Sequence, residues 1–192
     1  MTAGAPGAGG SGATVWLTGL PGSGKSTIAG ALAVLAGEAG YRPVLLDGDD
    51  LRTGLCSDLG FSPEDRAENV RRVGEVALLL ARHGLVALAP LISPYNAGRA
   101  RIRARHAEAG VAFVEVFVAT PLEECERRDV KGHYARARRG DLTAFTGVSD
   151  PYEVPERPEV VIDTAGCAVE ECAKEVLARL EALLGVPDVG RI

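Results

Sequence analysis

Residues 19–26 have the types and the spacing of a loop that binds nucleotide phosphates. They fit the pattern G-x-x-x-x-G-K-[S/T], and they are Gly19, Leu20, Pro21, Gly22, Ser23, Gly24, Lys25 and Ser26, followed by Thr27. In such a loop the backbone N–H groups surround phosphate oxygens, the lysine reaches the β- and γ-phosphates, and the serine hydroxyl binds Mg²⁺. The pattern predicts a site for a nucleoside triphosphate with a metal ligand at Ser26; the alternative is a glycine-rich turn that binds nothing.

The segments on both sides of the loop favour the phosphate site. Residues 14–18 form a short apolar run that predicts a buried strand, and residues 27–38, rich in alanine and leucine, predict a helix. A helix N-terminus behind a glycine turn adds positive electrostatic potential where phosphate groups bind. A strand, a glycine turn and a helix are the elements that this chemistry needs, in the required order.

Three acidic residues lie at the end of the second apolar run, residues 43–47. They are Asp47, Asp49 and Asp50. In open α/β folds ligands bind at the carboxyl ends of the strands. A carboxylate there would orient an acceptor hydroxyl, accept its proton, or hold a Mg²⁺-bound water. The alternative is that one of these acids caps a helix beginning near Leu51.

Basic residues of the next segment suit an anionic acceptor. Arg52, Arg66 and Arg72 come after the acids, and Arg66 and Asn69 lie about one helical turn apart on one face. The alternative for each single arginine is a place on the solvated surface. The net charge of −5 gives no global basic field, so a nucleic-acid-linked NTPase is the least favoured interpretation.

The chain alternates strand-like and helix-like segments, which predicts an α/β fold with a parallel sheet of about five strands covered by helices on both faces. The predicted strands are residues 14–18, 43–47, 85–92, 111–118 and 160–162. The predicted helices are residues 27–38, 63–83, 97–109, a segment from Pro121, and residues 168–184. A length of 192 residues suggests one domain, at residues 13–186, after a disordered Gly/Ala/Ser-rich tail at residues 1–12.

Residues 128–158 break this alternation. They contain a basic cluster, three prolines and three glycines, with little core periodicity. A long segment with little regular structure inside a compact domain is usually functional or disordered. In a phosphate-loop kinase the functional version is a lid that closes over the nucleotide and expels water. We therefore predict a lid here.

Three further features bear on where the protein works. The sequence contains no run of about 18 apolar residues, the length that would span a membrane. Its first twelve residues lack the basic end and apolar core of a signal peptide. Its four cysteines show no metal-ligand spacing. We therefore expect a cytoplasmic protein with reduced thiols.

A series of short segments, in order and with similar spacing, carries a resemblance to a known family. They are LTGLPGSGKST at 17–27, LDGD at 46–49, DLGF at 58–61, DRAENVRRV at 65–73, ISP at 92–94, RDVKG at 128–132, FTG at 145–147, DPYE at 150–153 and DT at 163–164. Over residues 14–184 the chain resembles the adenylyl-sulfate kinases, which are phosphate-loop small-molecule kinases. DLGF followed by R-x-E-N, and FTG followed by PYE, are far more specific than the phosphate loop.

The resemblance implies a reaction and the residues on the donor side. The family transfers the γ-phosphoryl group of MgATP to the 3′-hydroxyl of adenylyl sulfate, the step that activates sulfate for assimilation. By matching position, Asp49 is implied to be the general base or hydroxyl-orienting acid, and Asp47 to support Mg²⁺ through water. Lys131 would lie on the lid near the transferring phosphates, and Arg127 or Arg128 near the ATP adenine. The implied catalytic residues are Lys25, Asp47, Asp49 and Lys131. A homodimer is also implied, while the net charge and the lack of a long apolar run give the expectation of no nucleic-acid or membrane partner.

The resemblance implies an acceptor site as well. Arg52, Arg66, Asn69 and Ile92 would contact the anions and ribose of the acceptor, and Phe61 and Phe145 would enclose its adenine by stacking. Ser93 matches a family serine that has been described as a phosphorylated intermediate. Phosphoryl transfer needs positioning and charge stabilisation more than a covalent relay, so we expect Ser93 only to bind. The implied acceptor-side residues are Asp49, Arg52, Phe61, Arg66, Asn69, Ile92, Ser93, Lys131 and Phe145.

The chain departs from the residues common in the family at several positions. Asp50 replaces an asparagine, Asn96 stands where an arginine is common, His133 replaces a leucine, and Pro90-Leu91 replaces a serine and a phenylalanine. The first two changes make the neighbourhood less positive, which opens the alternative of another nucleotide-linked anion, such as cytidine diphosphoramidate, as acceptor. A second alternative is a nucleotide-binding module without transfer activity. The presence of Lys25, Asp49 and the lid motifs favours the enzyme.

Overall fold

The continuous apolar runs of the sequence form the strands of one sheet. The computed structural model describes residues 12–129 and 131–187, so the predicted tail at residues 1–12 lies outside them except for Gly12. The strands are β1 (Ala13–Thr18), β2 (Pro43–Leu45), β3 (Val86–Pro90), β4 (Ala112–Val118) and β5 (Val160–Ile162). The helices are α1 (Lys25–Glu38), α2 (Gly48–Thr53), α3 (Pro63–Arg82), α4 (Asn96–Glu108), α5 (Leu122–Arg128), α6 (His133–Arg138) and α7 (Val169–Leu184).

The five strands are parallel and lie in the order β2-β3-β1-β4-β5. β1 is central, and Trp16 is paired in register with Ala89 on one side and Glu115 on the other. The chain passes from β3 on one side of β1 to β4 on its other side, which makes the carboxyl edge beside β1 a topological switch point. Open α/β sheets bind ligands at such points.

Helices cover both faces of the sheet, as predicted. Along β1, Val15 and Leu17 point to one face and Trp16 to the other, because side chains alternate along a strand. The first face packs against α1 and α7 through residues such as Ile28 and Val176. The second face packs against α3 and α4. The predicted class, a phosphate-loop α/β fold with a five-stranded parallel sheet flanked by helices, is confirmed.

The alternative that one of the three acids caps a helix is confirmed for Asp47, but two local predictions of helix position are wrong. Helix α2 begins at Gly48 rather than near Leu51, since one oxygen of Asp47 accepts a hydrogen bond from the backbone N–H of Asp49 at 2.9 Å. Within the lid segment, α6 forms where the sequence predicted little regular structure. The Asp129 carboxylate accepts bonds from two backbone N–H groups in its first turn, at 3.0 Å each. Neither capping contact is visible in hydrophobic periodicity.

None of the helices within the described residues is long and apolar enough to cross a membrane.

Candidate active site

The loop after β1 has a backbone that only glycine adopts easily. Gly19, Gly22 and Gly24 all have positive φ angles, of 154°, 73° and 101°. A Cβ atom on Gly19 would lie 2.5 Å from the carbonyl oxygen of Val118 on the neighbouring strand. Gly24 immediately precedes α1, whose first residue is Lys25. The glycines thus turn the chain so that the N-terminus of α1 lies at the carboxyl edge of the sheet, as phosphate binding needs.

Lys25 lies over this loop and is nearly buried. Its Nζ donates hydrogen bonds to the carbonyl oxygens of Gly19 at 3.0 Å and Leu20 at 2.7 Å, and to the Ser23 hydroxyl at 3.3 Å. Burial lowers the pKa of the Lys25 ammonium group from its ordinary 10.5 to about 8. A phosphate group bound in the loop would favour the charged form. Anion binding and protonation of Lys25 are therefore coupled.

Two threonines hold the loop from the neighbouring strands, and the sequence did not reveal them. The Thr120 hydroxyl donates to the Ser23 carbonyl oxygen at 2.9 Å, and the Thr164 hydroxyl approaches the same oxygen at 3.3 Å. The two hydroxyls are also hydrogen-bonded to each other at 2.6 Å. Thr120 follows β4 and Thr164 follows β5, so both lie at the edge that carries the loop.

A cavity of about 490 Å³ opens beside the loop and gathers the predicted site residues. Its lining includes residues from the phosphate loop, from α2 and α3, from the loop after β3 and from the lid. The predicted residues among them are Pro21, Gly22, Gly24, Lys25, Ser26, Thr27, Asp47, Asp49, Arg52, Phe61, Arg66, Asn69, Ile92, Ser93, Lys131 and Phe145. One surface thus brings together predicted residues from Pro21 to Phe145, which are 124 positions apart in the sequence.

Oxygen donors suited to Mg²⁺ line this cavity. They are the exposed hydroxyl of Ser26 and the half-buried carboxylate of Asp47. Mg²⁺ prefers oxygen ligands and keeps several waters. A direct serine contact and a water-mediated aspartate contact fit that preference, so the donor set agrees with the predicted metal.

The predicted base and the predicted lid lysine meet in the structure. Asp49, in the first turn of α2, is 73% exposed, and its carboxylate pairs with the Lys131 ammonium group, which is 58% exposed. Exposed ion pairs contribute about 1 kcal/mol or less. An anion that binds beside Lys131 can therefore replace Asp49 as its partner at little cost.

Phe61 offers an exposed aromatic surface in the lining of the cavity. Its ring is 60% exposed, and the guanidinium carbon of Arg52 lies 4.4 Å from the ring centroid. Arg52 also donates to the Gly60 carbonyl oxygen at 3.1 Å. This cation–π contact fixes the orientation of Phe61.

Arg66 connects α3 to the lid. It is 7% exposed, and its nitrogens donate to Phe61 O at 2.9 Å, Thr146 Oγ1 at 3.1 Å and Ala144 O at 2.5 Å. The Asp150 carboxylate lies 3.6 Å away. The sequence predicted an anion contact for Arg66, which stays a prediction. The structure adds a second role that the sequence did not reveal, namely that Arg66 joins the backbone on both sides of the cavity.

Phe145 forms the lid side of the cavity with two aromatic neighbours. Its ring lies edge-on to Tyr134 at 5.0 Å and to His133 at 6.2 Å, measured between centroids. The Tyr134 hydroxyl donates to the Pro21 carbonyl oxygen at 2.9 Å, so α6 touches the phosphate loop directly. Burial raises the pKa of Tyr134, which keeps this hydroxyl protonated as a donor. Sequence reasoning missed Tyr134 because it placed no helix there.

Asn69 and Ser93 both line the cavity, but only the side-chain oxygen of Asn69 is available for a hydrogen bond to a ligand. The Asn69 side chain is nearly buried, and its Oδ1 has no hydrogen-bond partner among the described residues. An orphaned buried oxygen of this kind suits a ligand donor. The Ser93 hydroxyl instead accepts a hydrogen bond from Trp16 Nε1 at 3.0 Å. Ser93 is only 3% exposed, so its hydroxyl faces the protein core rather than the cavity. Its backbone has a φ of 39°.

The structure distinguishes the arginines predicted to contact a nucleotide or an anion by the groups that surround them. Arg128 donates to the Thr164 hydroxyl at 2.8 Å and carbonyl at 3.0 Å, beside the phosphate loop. Arg127 is 72% exposed and pairs with Glu124 on the outer surface, so Arg128 is the better candidate for a nucleotide contact. Arg72 pairs with Asp58 at 2.6 Å and does not line the cavity. The surface alternative therefore applies to Arg72.

Comparison with known proteins agrees with this geometry. A family model described as Adenylylsulphate kinase matches residues 11–163. The adenylyl-sulfate kinase of Marinobacter nauticus is 53% identical over 167 residues, which are 87% of this chain and 83% of that protein.

Solved structures give the same result. The Mycobacterium tuberculosis APS kinase in complex with AMPPNP and APS has a TM-score of 0.87 and 50% identity, over 90% of this chain and 99% of that chain. A hexameric APS kinase from Thiobacillus denitrificans has a TM-score of 0.71 and 38% identity, over 93% of this chain and 30% of that chain. The predicted resemblance is confirmed, and the chain belongs to the adenylyl-sulfate kinase family.

Proposed function

We propose that this protein transfers the γ-phosphoryl group of MgATP to the 3′-hydroxyl of adenylyl sulfate, giving 3′-phosphoadenylyl sulfate and ADP. One observation carries the proposal. A single cavity is lined by the phosphate-loop Lys25, by Asp49 and Lys131, and by the aromatic rings of Phe61 and Phe145. A donor site, a candidate general base and a site for the acceptor's adenine therefore share one cavity.

The donor half binds the triphosphate. The loop N–H groups and the N-terminus of α1 would surround the β- and γ-phosphates, and Lys25 would neutralise charge that develops on them. Arg128 would approach the ATP adenine. Ser26 directly, and Asp47 through water, would hold Mg²⁺, which when bound supplies additional positive charge to the phosphate oxygens.

Asp49 and Lys131 would serve the transfer itself. The 3′-oxygen of the acceptor forms a bond to the γ-phosphorus, the bond from that phosphorus to the β,γ-bridging oxygen breaks, and the Asp49 carboxylate takes the hydroxyl proton. In the structure this carboxylate pairs with Lys131. Lys131 would exchange Asp49 for the transferring phosphate, which frees the carboxylate for the hydroxyl. Positioning and charge stabilisation are what phosphoryl transfer needs from the protein.

The acceptor half would recognise a purine nucleotide that carries an anhydride. Phe61 and Phe145 would stack on the two faces of the adenine. Asn69 Oδ1, a buried oxygen with no hydrogen-bond partner among the described residues, would accept a hydrogen bond from the acceptor. Arg52 and Arg66 would pair with its anions, and the backbone near Ile92 and Ser93 would contact the ribose.

The two departures that make the region less positive, Asp50 and Asn96, lie outside the cavity lining, whereas Pro90 and Leu91 belong to it. Of Asp50, Asn96 and His133, only His133 belongs to the lining that the described residues form. The loss of positive charge at the other two positions therefore does not act directly on the acceptor. This favours adenylyl sulfate over a cytidine-linked anion.

The proposal extends to the domain bounds, the oligomeric state and the location of the protein. We take residues 13–186 as one kinase domain and residues 128–158 as its lid. A homodimer is proposed from the family, and light scattering on the purified protein tests it. A cytoplasmic location is proposed because the reaction consumes ATP.

The decisive experiment is a coupled ADP-release assay with adenylyl sulfate, AMP, cytidine diphosphoramidate, or no acceptor, using Asp49→Asn as the matched inactive control. We expect acceptor-dependent ADP release that is fastest with adenylyl sulfate. Faster release with the cytidine compound would keep the kinase and change the acceptor. Nucleotide binding without acceptor-dependent release would identify a binding module instead.

A further inference from the structure

Arg99 is a charged side chain buried in the interior of the protein. It lies in the first turn of α4 and is 2% exposed. A buried guanidinium is unfavourable unless its donors find partners. Arg99 donates to the backbone oxygens of Ser93 and Glu153, the latter at 2.6 Å, and to Asn96 Oδ1. Its Nε lies 2.9 Å from Glu115 Oε1, which makes an ion pair, although the two atoms are not aligned as a hydrogen bond.

These partners belong to three different parts of the site's surroundings. Ser93 lies in the loop after β3, which lines the cavity. Glu153 lies in the C-terminal part of the lid segment. Glu115 lies in β4, next to the central strand. The Arg99 guanidinium also lies 5.7 Å from the ring centroid of Tyr152. One side chain therefore joins the acceptor-side loop, the lid and the sheet.

The loop after β3 needs this support because of its backbone. Ser93 has a φ of 39°, in the left-handed region that side chains other than glycine rarely adopt. Such a conformation persists only where surrounding contacts hold it. Arg99 holds the Ser93 carbonyl, and Trp16 holds its hydroxyl. The neighbouring Ile92 and Pro94 both line the cavity, so the position of this loop sets the shape of the acceptor wall.

Glu153, in the lid segment, is hydrogen-bonded to the same loop and to the start of α4. Besides its carbonyl bond to Arg99, Glu153 donates its N–H to the Pro94 carbonyl oxygen at 2.8 Å. The Glu153 carboxylate accepts from the backbone N–H of Asn96 at 2.6 Å. The adjacent Tyr152 hydroxyl is hydrogen-bonded to the Thr18 hydroxyl at 2.9 Å. Three bonds from Glu153 thus fix this part of the lid segment to the acceptor-side loop and to the start of α4.

We propose that Arg99 is a positioning residue of this kinase. It acts without touching the substrates, by holding the Ser93 carbonyl in the loop after β3 and the Glu153 carbonyl in the lid segment. Its removal would shift the Ile92–Pro94 wall and loosen the lid anchor while leaving the phosphate loop in place. The acceptor half of the site would then be impaired and the donor half retained. This rests on the proposed function, because the acceptor must be adenylyl sulfate for its kinetics to report the change.

Arg103 is a matched control in the same cluster. It lies one turn further along α4 and pairs with Glu115 at 3.0 Å and Glu159 at 2.6 Å. Neither contact involves Ser93 or Glu153. In Arg99→Met the buried Glu115 keeps Arg103 as a partner, so the variant leaves no unpaired carboxylate. Arg99→Met and Arg103→Met each remove one arginine from the cluster, but only the first releases the loop and the lid.

The test compares both variants with the wild type in three measurements. We expect Arg99→Met to lower kcat/KM for adenylyl sulfate by about 100-fold, the typical effect of a misplacement of about 1 Å. Its Kd for MgADP, from calorimetry, should stay within about twofold of wild type, since the phosphate loop keeps its contacts. Amide exchange over residues 150–156 should accelerate. Arg103→Met should resemble wild type in all three, and Arg99→Lys should recover part of the loss.

Several results would overturn the proposal. Equal losses in kcat/KM for Arg99→Met and Arg103→Met would show a purely structural role for the cluster. A parallel loss of MgADP binding would show general damage. If Arg99→Met does not fold, Asn96→Ala removes one guanidinium partner more gently, and an unchanged acceptor KM would then contradict the proposal. Wild-type turnover of adenylyl sulfate tests the proposed function separately, and the exchange measurement tests the anchor even if the acceptor differs.

Discussion

Nucleotide binding should weaken as the pH rises through about 8, because Lys25 must be charged to hold a phosphate. Burial sets the pKa of Lys25 at about 8 in the structure. Phosphate oxygens beside Nζ would raise it again. The ammonium group is thus mostly charged at pH 7, and about one-tenth charged at pH 9. If the charged form alone binds, the Kd for MgADP rises about tenfold between pH 7 and pH 9, which is about 1.4 kcal/mol.

Calorimetry measures both parts of this prediction. Titrations with MgADP at pH 7, 8 and 9, each in two buffers of different ionisation enthalpy, give the Kd and the number of protons taken up. We expect uptake of about 0.1 proton at pH 7 and about 0.9 proton at pH 9. Lys25→Met is the control, and it should bind more weakly with little change across this range. A wild-type Kd that stays constant from pH 7 to pH 9 without proton uptake would refute the reasoning.

Three further substitutions test the catalytic and lid assignments. Asp49→Asn should lower kcat by about 10²–10⁴-fold while the Kd for MgADP stays near wild type, because the carboxylate acts on the acceptor hydroxyl; a larger loss in Asp47→Asn would exchange the two roles. Phe145→Ala should raise the acceptor KM, by an amount corresponding to about 1–3 kcal/mol for one lost stack. An unchanged KM would mean that the adenine of the acceptor does not stack on Phe145. Tyr134→Phe should accelerate amide exchange over residues 131–138 without changing circular dichroism, since it removes only the bond to Pro21; equal exchange would mean that this bond does not hold the lid.

The fold could be predicted from the sequence because its main signals are local. Each strand is a mostly apolar run, and the phosphate loop fixes the order of strand, turn and helix around Lys25. A capping acid near the end of β2 was foreseen as an alternative, but the exact start of α2 and the cap at Asp129 were not, because a carboxylate that accepts backbone bonds leaves no mark on hydrophobic periodicity. That is why α2 begins earlier than predicted and why α6 was missed.

The site was predicted less completely because many of its contacts join distant positions. Arg66 donates to Thr146, which is 80 residues away, and Thr120 supports Ser23 from 97 residues away. A single sequence contains no signal for such pairs. For Arg72 the sequence suggested a contact that the structure does not contain. Its type and position suggested an anion contact, but its partners are Asp58 and Glu68.

The hydrogen bond between Trp16 and Ser93 has a spectroscopic consequence. Trp16 is the single tryptophan of this chain, is fully buried, and donates its indole N–H to the hydroxyl of a residue that lines the cavity. Emission from an indole depends on its hydrogen bonding and on the polarity around it. The tryptophan fluorescence of the protein is therefore emitted from one known position, beside the loop after β3. The protein carries its own unlabelled optical reporter of that loop.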